Sequence, residues 1–147
     1  MANVLHHVSV FIADMDRGLY LFGDILGFEL LWRVPKVGGQ RLSALLGIPN
    51  MEVELAYLQS STDGVAIELS RLIHPLIEVL PVSFGHVGTI GLSLVVKDLD
   101  GLHQRLTKEG WNALTPCLPM RSPEGDDIRV FCIRVEDSLT LEFIELR

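Results

Sequence analysis

The sequence is poor in positive charge, in cysteine and in long apolar runs, and each shortage excludes a class of protein. Lys and Arg total 12 against 19 Asp and Glu, a net charge of −7, and no basic cluster would neutralise a row of phosphates. Nucleic acid is therefore not an expected partner. No apolar stretch reaches the roughly 18 residues that a membrane span needs. The N-terminus lacks a basic leader, so we expect a soluble, cytoplasmic protein that binds no membrane.

Cysteine is represented only by Cys117 and Cys132, which show no CxxC spacing. We expect two reduced thiols, with Cys132 in a core strand, rather than a disulfide or a redox site. The 147 residues are enough for one ordinary domain or for two small halves that share a core.

An internal repeat divides the chain. The acidic pair Asp14-Met15-Asp16 reappears as Asp98-Leu99-Asp100, and each pair follows a strand-like segment. Each half also ends in a similar tripeptide motif, Ile67-Glu68-Leu69 in the first half and Leu141-Glu142-Phe143 in the second. The sequence therefore predicts a single domain made of two copies of one unit, with a connection between them. The predicted ranges are about 4–72, 88–147 and, for the connection, 73–87.

Hydrophobic periodicity predicts the same order in both units: a strand, a helix and three strands. In the first unit we expect strands near 4–12, 28–34, 52–59 and 65–71, a helix between Asp14 and Gly27, and a helical turn at 41–46. In the second unit we expect strands near 89–96, 112–117, 128–135 and 139–146, and a helix at 99–108. The loop at 116–127 is either a flap or a long hairpin turn.

Strand alternation assigns the faces of the predicted sheets. The apolar side chains of Val8, Val10 and Ile12 suit the helix side, which leaves His7 on the opposite face. Glu68 and Glu142 alternate with apolar neighbours in the same way. If the two sheets bring these faces together, one imidazole and two carboxylates share a cavity.

Other residues have less specific expectations. His6 alternates onto the face opposite His7, and His103 is expected on a helix surface. Trp32 and Tyr57 are expected to pack in the core, and Arg33 is one of three arginines that could bind a substrate carboxylate. The other two are Arg41 and Arg121.

With these motifs in place, the sequence resembles the vicinal oxygen chelate superfamily, which includes glyoxalase I, methylmalonyl-CoA epimerase, extradiol dioxygenases and the fosfomycin and bleomycin resistance proteins. The resemblance runs over nearly the whole chain. Its motifs are Leu5-His6-His7-Val8-Ser9-Val10, Asp14-Met15-Asp16-Arg17, Ile25-Leu26-Gly27-Phe28, Ile67-Glu68-Leu69, Val96-Lys97-Asp98-Leu99-Asp100 and Leu141-Glu142-Phe143-Ile144-Glu145. It implies a glyoxalase-like α+β fold, in which two tandem βαβββ modules form a curved mixed sheet around a cavity.

The resemblance also implies a divalent metal. Its ligands fall on His7 and Glu68 in the first module and on Glu142 in the second, whereas the usual fourth position falls on Gly91. His86 replaces that ligand only if a bulge turns it to the same face. Two carboxylates that converge in a cavity repel each other, so either a cation lies between them or one holds a proton. The donor set suits Mn, Fe, Ni or Mg better than a closed tetrahedral Zn site.

Two functions remain open at this point. The first is a metal-dependent enzyme for a small substrate with vicinal oxygens, either a lyase, isomerase or epimerase in which Glu142 or Glu68 moves protons, or a dioxygenase. The second is a metal-free protein of the bleomycin-resistance kind that binds a small ligand. Gly91 favours the second and the set of His7, Glu68 and Glu142 favours the first. A homodimer is expected, because small sheets have edges to cover.

Overall fold

Each half of the chain begins with a strand that pairs in parallel with the last strand of the same half. The computed structural model describes residues 3–60, 64–76 and 82–147. It divides into two compact units, Met1–Val79 and Leu80–Arg147. Residues 77–81 of the predicted connection lie outside the described residues, and the single-domain description stays a prediction.

The first unit contains a four-stranded mixed sheet in the order β1-β4-β3-β2. Its strands are β1 (His7–Phe11), β2 (Glu29–Gly38), β3 (Glu52–Gln59) and β4 (Ala66–His74). β1 is parallel to β4, and the other pairs are antiparallel. Two helices complete the unit: α1 (Met15–Leu19), which continues as a π-helical segment (Tyr20–Ile25), and α2 (Gln40–Leu46).

The second unit repeats this arrangement in the order β5-β8-β7-β6. Its elements are β5 (Ile90–Val95), α3 (Leu99–Lys108), β6 (Leu118–Arg121), β7 (Asp127–Glu136) and β8 (Leu139–Leu146). The predicted α+β class and the two tandem βαβββ modules are thus confirmed. Among the described residues, no helix has the length and apolar character needed to cross a membrane.

The two acidic pairs begin the helices, as their position in the repeat indicates. The Asp14 carboxylate accepts a hydrogen bond from the Arg17 N–H at 3.0 Å, and Asp98 accepts one from Gly101 at 2.9 Å. Such caps satisfy backbone donors that have no partner within the helix. Both helices therefore begin at equivalent points of the repeat.

Helix α1 covers one face of the first sheet at very short range. Gly18 lies so close to the sheet that an added Cβ would overlap the Ile12 Cδ1 methyl and lie 3.3 Å from Leu69 Cδ1. Because side chains alternate along a strand, the residues between these apolar ones take the other face of the sheet. The buried residues of the first unit include Val10, Ile12, Phe22, Leu58 and Leu69.

The strand predicted at 112–117 is wrong. Only an isolated bridge between Ala113 and Ile133 forms there, and the edge strand is β6, which pairs with the start of β7. A turn at 122–126 joins the two, with the Ser122 N–H donating to the Asp126 carbonyl at 2.8 Å. The loop at 116–127 is therefore a β-hairpin, and its first strand, β6, is not part of the prediction. Pro119 is tolerated in β6 because an edge strand can lack one backbone donor.

Candidate functional site

Two of the three predicted ligands lie side by side on the face of the first sheet opposite α1. His7 Nε2 is 4.0 Å from Glu68 Oε1, and both side chains are partly exposed. Ser9 is the register partner of Glu68, and its hydroxyl donates to Glu68 Oε1 at 2.8 Å. The parallel pairing of β1 with β4 produces this arrangement, because it aligns the first and last strands of the unit. An imidazole and an oriented carboxylate thus share one accessible surface.

His6 lies against His7, contrary to the expectation that it faces away. The two Nδ1 atoms are 2.7 Å apart, and the rings meet edge to face. The Tyr57 hydroxyl lies 3.3 Å from His6 Nδ1, and Trp32 stacks on Tyr57 with ring centres 5.0 Å apart. We call His6, His7, Tyr57 and Trp32 the His–aromatic cluster. His6 precedes β1, so strand alternation does not apply to it.

The expectation that Trp32 and Tyr57 pack in the core is also wrong. Trp32 is 41% exposed, and Tyr57 is half-buried on β3 as the register partner of Glu68. A signal for this position was present in the sequence. Tyr57 stands between Ala56 and Leu58, two apolar residues that are fully buried in the structure. Alternation therefore places its side chain away from the helix.

The third predicted ligand, Glu142, has the same local support in the second unit. Ser93 is its register partner on β5, and the Ser93 hydroxyl donates to Glu142 Oε2 at 2.5 Å. Cys132 takes the place that Tyr57 has in the first unit, as the β7 partner of Glu142. Burial raises the pKa of the Cys132 thiol, and the Glu142 carboxylate adds to the effect. The thiol therefore stays protonated and is not an activated nucleophile.

Gly91 occupies the position that corresponds to His7, and an aromatic ring lies over it. A Cβ built on Gly91 would be 3.4 Å from Cζ of Phe84. Its register partner is Thr140, whose hydroxyl is buried and has no hydrogen-bond partner among the residues described. The second unit therefore presents an apolar ring where the first presents an imidazole.

His86 does not replace the missing ligand through a bulge. It lies in the turn before β5, where its Nδ1 accepts a hydrogen bond from the Ser83 N–H at 3.1 Å. β5 itself pairs with β8 in continuous register from Ile90 to Val95. His86 therefore stabilises the turn before β5, and it does not lie on the strand itself.

Two of the three arginines considered as carboxylate binders, Arg33 and Arg121, have partners within their own unit. Arg33 binds Glu54 at 2.6 Å and Asp16 at 2.9 Å, so it serves the fold of the first unit. Arg129 pairs with Asp100 at 2.6 Å, and hydrogen bonding to this guanidinium lowers the pKa of Asp100. Arg121 donates to the Gly125 carbonyl within the hairpin. The contacts of Arg33, Arg121 and Arg129 therefore stabilise the fold of their own units.

His103 is half-buried, rather than a surface residue as expected. Its Nε2 is 3.2 Å from the Thr115 carbonyl, and its ring meets Phe131 edge to face at 4.9 Å. These contacts tie α3 to the sheet and to the segment before β6.

The metal hypothesis finds donors of the right kind in the first unit, though not a complete centre. Within the described residues, no group of three or more His, Cys, Asp or Glu side chains is assembled as a metal centre. The donors of the first unit fit in kind, because an imidazole nitrogen next to a carboxylate suits first-row divalent ions. His7 and Glu68 are therefore the residues of this unit that would hold such an ion.

Two βαβββ modules, each with a serine–glutamate pair between its first and last strands, define a chain of glyoxalase-like architecture. The family model described as Glyoxalase/Bleomycin resistance protein/Dioxygenase superfamily matches residues 4–137, and the chain belongs to this superfamily. A search of the curated proteins gave no match.

Several solved structures share the fold. A glyoxalase family protein from Bacillus cereus is 22% identical with a TM-score of 0.84, over 99% of this chain and 96% of that chain. A glyoxalase/bleomycin resistance protein/dioxygenase from Nocardioides is 15% identical with a TM-score of 0.61, over 99% and 85%. A superfamily member from Sphaerobacter thermophilus is 20% identical with a TM-score of 0.55, over 98% of each chain. At these identities the likeness shows the fold alone.

Proposed function

We propose that the protein is a divalent-metal-dependent enzyme that acts on a small substrate with vicinal oxygens. The reaction class is that of a lyase, isomerase or epimerase, or of a dioxygenase. The observation that carries the proposal is the contact of His7 with Glu68 on the accessible face of the first sheet. We also propose a homodimer and a cytoplasmic location, on the expectations from the sequence.

The proposed ligands are His7 and Glu68 from the first unit and Glu142 from the second. The support for Glu142 is its equivalence to Glu68, since each glutamate accepts a hydrogen bond from the serine opposite it. The metal, one of Mn, Fe, Ni, Mg or Zn, would when bound polarise the neighbouring oxygens of the substrate.

The glutamates are also the proposed proton carriers. Each serine hydroxyl holds one carboxylate oxygen, which fixes the orientation of the side chain. The second oxygen of such a carboxylate can accept a proton from a substrate carbon and return it. Glu68 and Glu142 have the same hydrogen-bond support, so we assign this role to the pair.

The Trp32–Tyr57 stack is proposed to orient the substrate. The indole is 41% exposed, and Tyr57 meets the His7 ring edge to face at 5.6 Å. A flat aromatic surface next to the polar pair can hold an apolar or planar part of a small molecule. It would align the rest of that molecule with the carboxylate.

A second candidate is a metal-free protein of the bleomycin-resistance type that binds a small ligand. The observation that favours it is the Phe84 ring next to Gly91, at the position where the resemblance implies a fourth metal ligand. A site with this apolar ring would favour an apolar ligand over an ion.

Calorimetric titration with Mn²⁺ and Ni²⁺ distinguishes the two candidates. We expect the wild type to bind both ions, and His7→Ala and Glu68→Gln to lose at least about tenfold in affinity, because each removes a proposed ligand. Glu142→Gln tests the contribution of the second unit. Glu124→Gln, an exposed change in the turn between β6 and β7, is the matched control. A wild type that binds neither ion while correctly folded would give the second candidate the lead.

A further inference from the structure

The short contact between His6 and His7 constrains where protons lie on the two rings. Their Nδ1 atoms are 2.7 Å apart, which is a hydrogen-bond distance. One Nδ1 must therefore carry a proton and donate it, and the other must accept. A neutral imidazole has a single N–H, so this choice also fixes whether the Nε2 atom of each ring is bare.

The two ends of the His7 ring face different partners. Nδ1 faces His6, and Nε2 faces Glu68 Oε1 at 4.0 Å. If His7 Nδ1 carries the proton, its Nε2 directs a lone pair toward the carboxylate side. If His6 is the donor instead, His7 Nε2 carries the proton and has no lone pair to offer a cation.

The rest of the His–aromatic cluster holds His6 in place. The Tyr57 hydroxyl is 3.3 Å from His6 Nδ1, and the Tyr57 ring lies between Trp32, stacked at 5.0 Å, and His7 at 5.6 Å. His6 itself is exposed and precedes β1, so the core does not depend on it. A Tyr57 hydroxyl that donates to His6 Nδ1 requires this nitrogen to be without a proton, so the same nitrogen is the acceptor in the contact with His7 Nδ1.

We propose that His6 is a positioning residue for His7. It accepts the Nδ1–H of His7 and so holds the tautomer whose Nε2 is free to bind a divalent cation on the Glu68 side. His6 is not itself a ligand in this arrangement, because its Nδ1 meets the end of the His7 ring that faces away from Glu68. The role of the cation rests on the proposed function, whereas the tautomer is a property of the metal-free protein.

The test compares two substitutions of His6. His6→Leu removes the acceptor at similar size, and His6→Asn keeps an acceptor, since Asn Oδ1 takes about the place of His Nδ1. Glu124→Gln, an exposed change in the turn between β6 and β7, is the control. All three are compared with the wild type by nitrogen-15 NMR of the His7 imidazole at mildly alkaline pH, without metal.

We expect the Nδ1–H tautomer of His7 in the wild type, in His6→Asn and in Glu124→Gln, and a shift toward Nε2–H in His6→Leu. In Mn²⁺ titrations, His6→Leu should weaken binding about 10- to 100-fold, the usual effect of losing a partner of a ligand, and His6→Asn should restore most of it. A wild type with Nε2–H on His7, or a His6→Leu variant with unchanged tautomer and affinity, overturns the proposal. If the wild type binds no Mn²⁺ but His6→Leu still shifts the tautomer, the proposed function fails and the positioning role stands.

Discussion

Glu54 is a buried residue that keeps its charge. Its side chain is 5% exposed, and it binds Arg33 Nη2 at 2.6 Å and Arg71 Nη2 at 2.8 Å. Burial alone would raise the pKa of this carboxyl, but the hydrogen bonds from the two arginines outweigh it, so the pKa lies below its ordinary value. The carboxylate therefore contributes to stability in its ionised form.

Glu54→Gln is expected to lower the free energy of unfolding by about 2 kcal/mol at neutral pH, because it leaves two guanidinium groups without a counter-charge. The value is below that of a fully buried pair, since both arginines are more than one-third exposed. Denaturant unfolding at a series of pH values measures it. Because the folded pKa is lowered, the wild-type advantage is complete above the unfolded pKa of about 4.3 and disappears as the pH falls through the folded pKa.

Glu52→Gln is the control on the same strand. Glu52 binds Lys36 Nζ at 2.8 Å, but the Lys36 side chain is exposed and Glu52 is only half-buried, so the loss should be within about 0.5 kcal/mol. Equal losses for the two variants, or a Glu54→Gln difference that does not change in acid, would contradict the role assigned to Glu54.

Among the elements, those with local signals were predictable from the sequence. The bounds of α3, β3 and β8 agree with the prediction, because an aspartate cap or a clear alternation marks each of them. The segment that continues α1 (Tyr20–Ile25) is π-helical, which the periodicity does not predict, and its buried residues are Leu21, Phe22 and Ile25. β6 was missed, since its position depends on where the hairpin turn closes against β7.

The candidate site was also predictable where strand alternation and the repeat define it, and not where turns and strand ends do. The adjacency of His7 and Glu68 follows from the repeat and from strand alternation, both of which are readable in the sequence. The ring of Phe84 over Gly91 is not readable, because it comes from the path of a turn that no periodicity describes. The contact of His6 with His7 depends on where β1 begins, and a sequence pattern defines the ends of a strand less sharply than its middle.

The close packing of α1 on its sheet leads to a prediction about Gly18. Gly18→Ala should gain less than the about 1 kcal/mol by which alanine favours a helix, because the new methyl overlaps Ile12 Cδ1 and this buried side chain must move. Ile12→Val removes that Cδ1 atom. In a double-mutant cycle measured by denaturant unfolding, Gly18→Ala should therefore be more favourable in the Ile12→Val background than in the wild type, by about 1 kcal/mol.

Gly23→Ala is the matched control for this cycle. Its added methyl has ordinary contacts, with the Phe28 carbonyl oxygen at 3.9 Å as the nearest atom within 4 Å. Its effect should be the same in the wild-type background and in the Ile12→Val background. An additive result for Gly18→Ala and Ile12→Val would show that the helix moves away from the sheet without cost.

Across the molecule, the two units share a strand order, an aspartate cap and a serine–glutamate pair, but they differ at two site positions. The first unit has His7 and Tyr57 where the second has Gly91 and Cys132. The proposed metal donors are therefore unequal between the repeats. The first unit supplies an imidazole and a carboxylate, and the second supplies a carboxylate.

This asymmetry predicts how the whole protein responds to metal removal. A ligand that binds only the folded state adds about 2.7 kcal/mol at 100 times its Kd, which for a chain of this size is roughly 5–10 °C in melting temperature. We expect the wild type and Glu124→Gln to lose this increment with a chelator and to regain it with Mn²⁺. His7→Ala and Glu68→Gln, with affinity at least about tenfold lower, should keep about half of it or less, and Glu142→Gln should keep more, because the imidazole and carboxylate of the first unit remain. Thermal unfolding of all five proteins, with and without chelator, measures this, and a wild-type curve unaffected by either treatment would contradict the metal site.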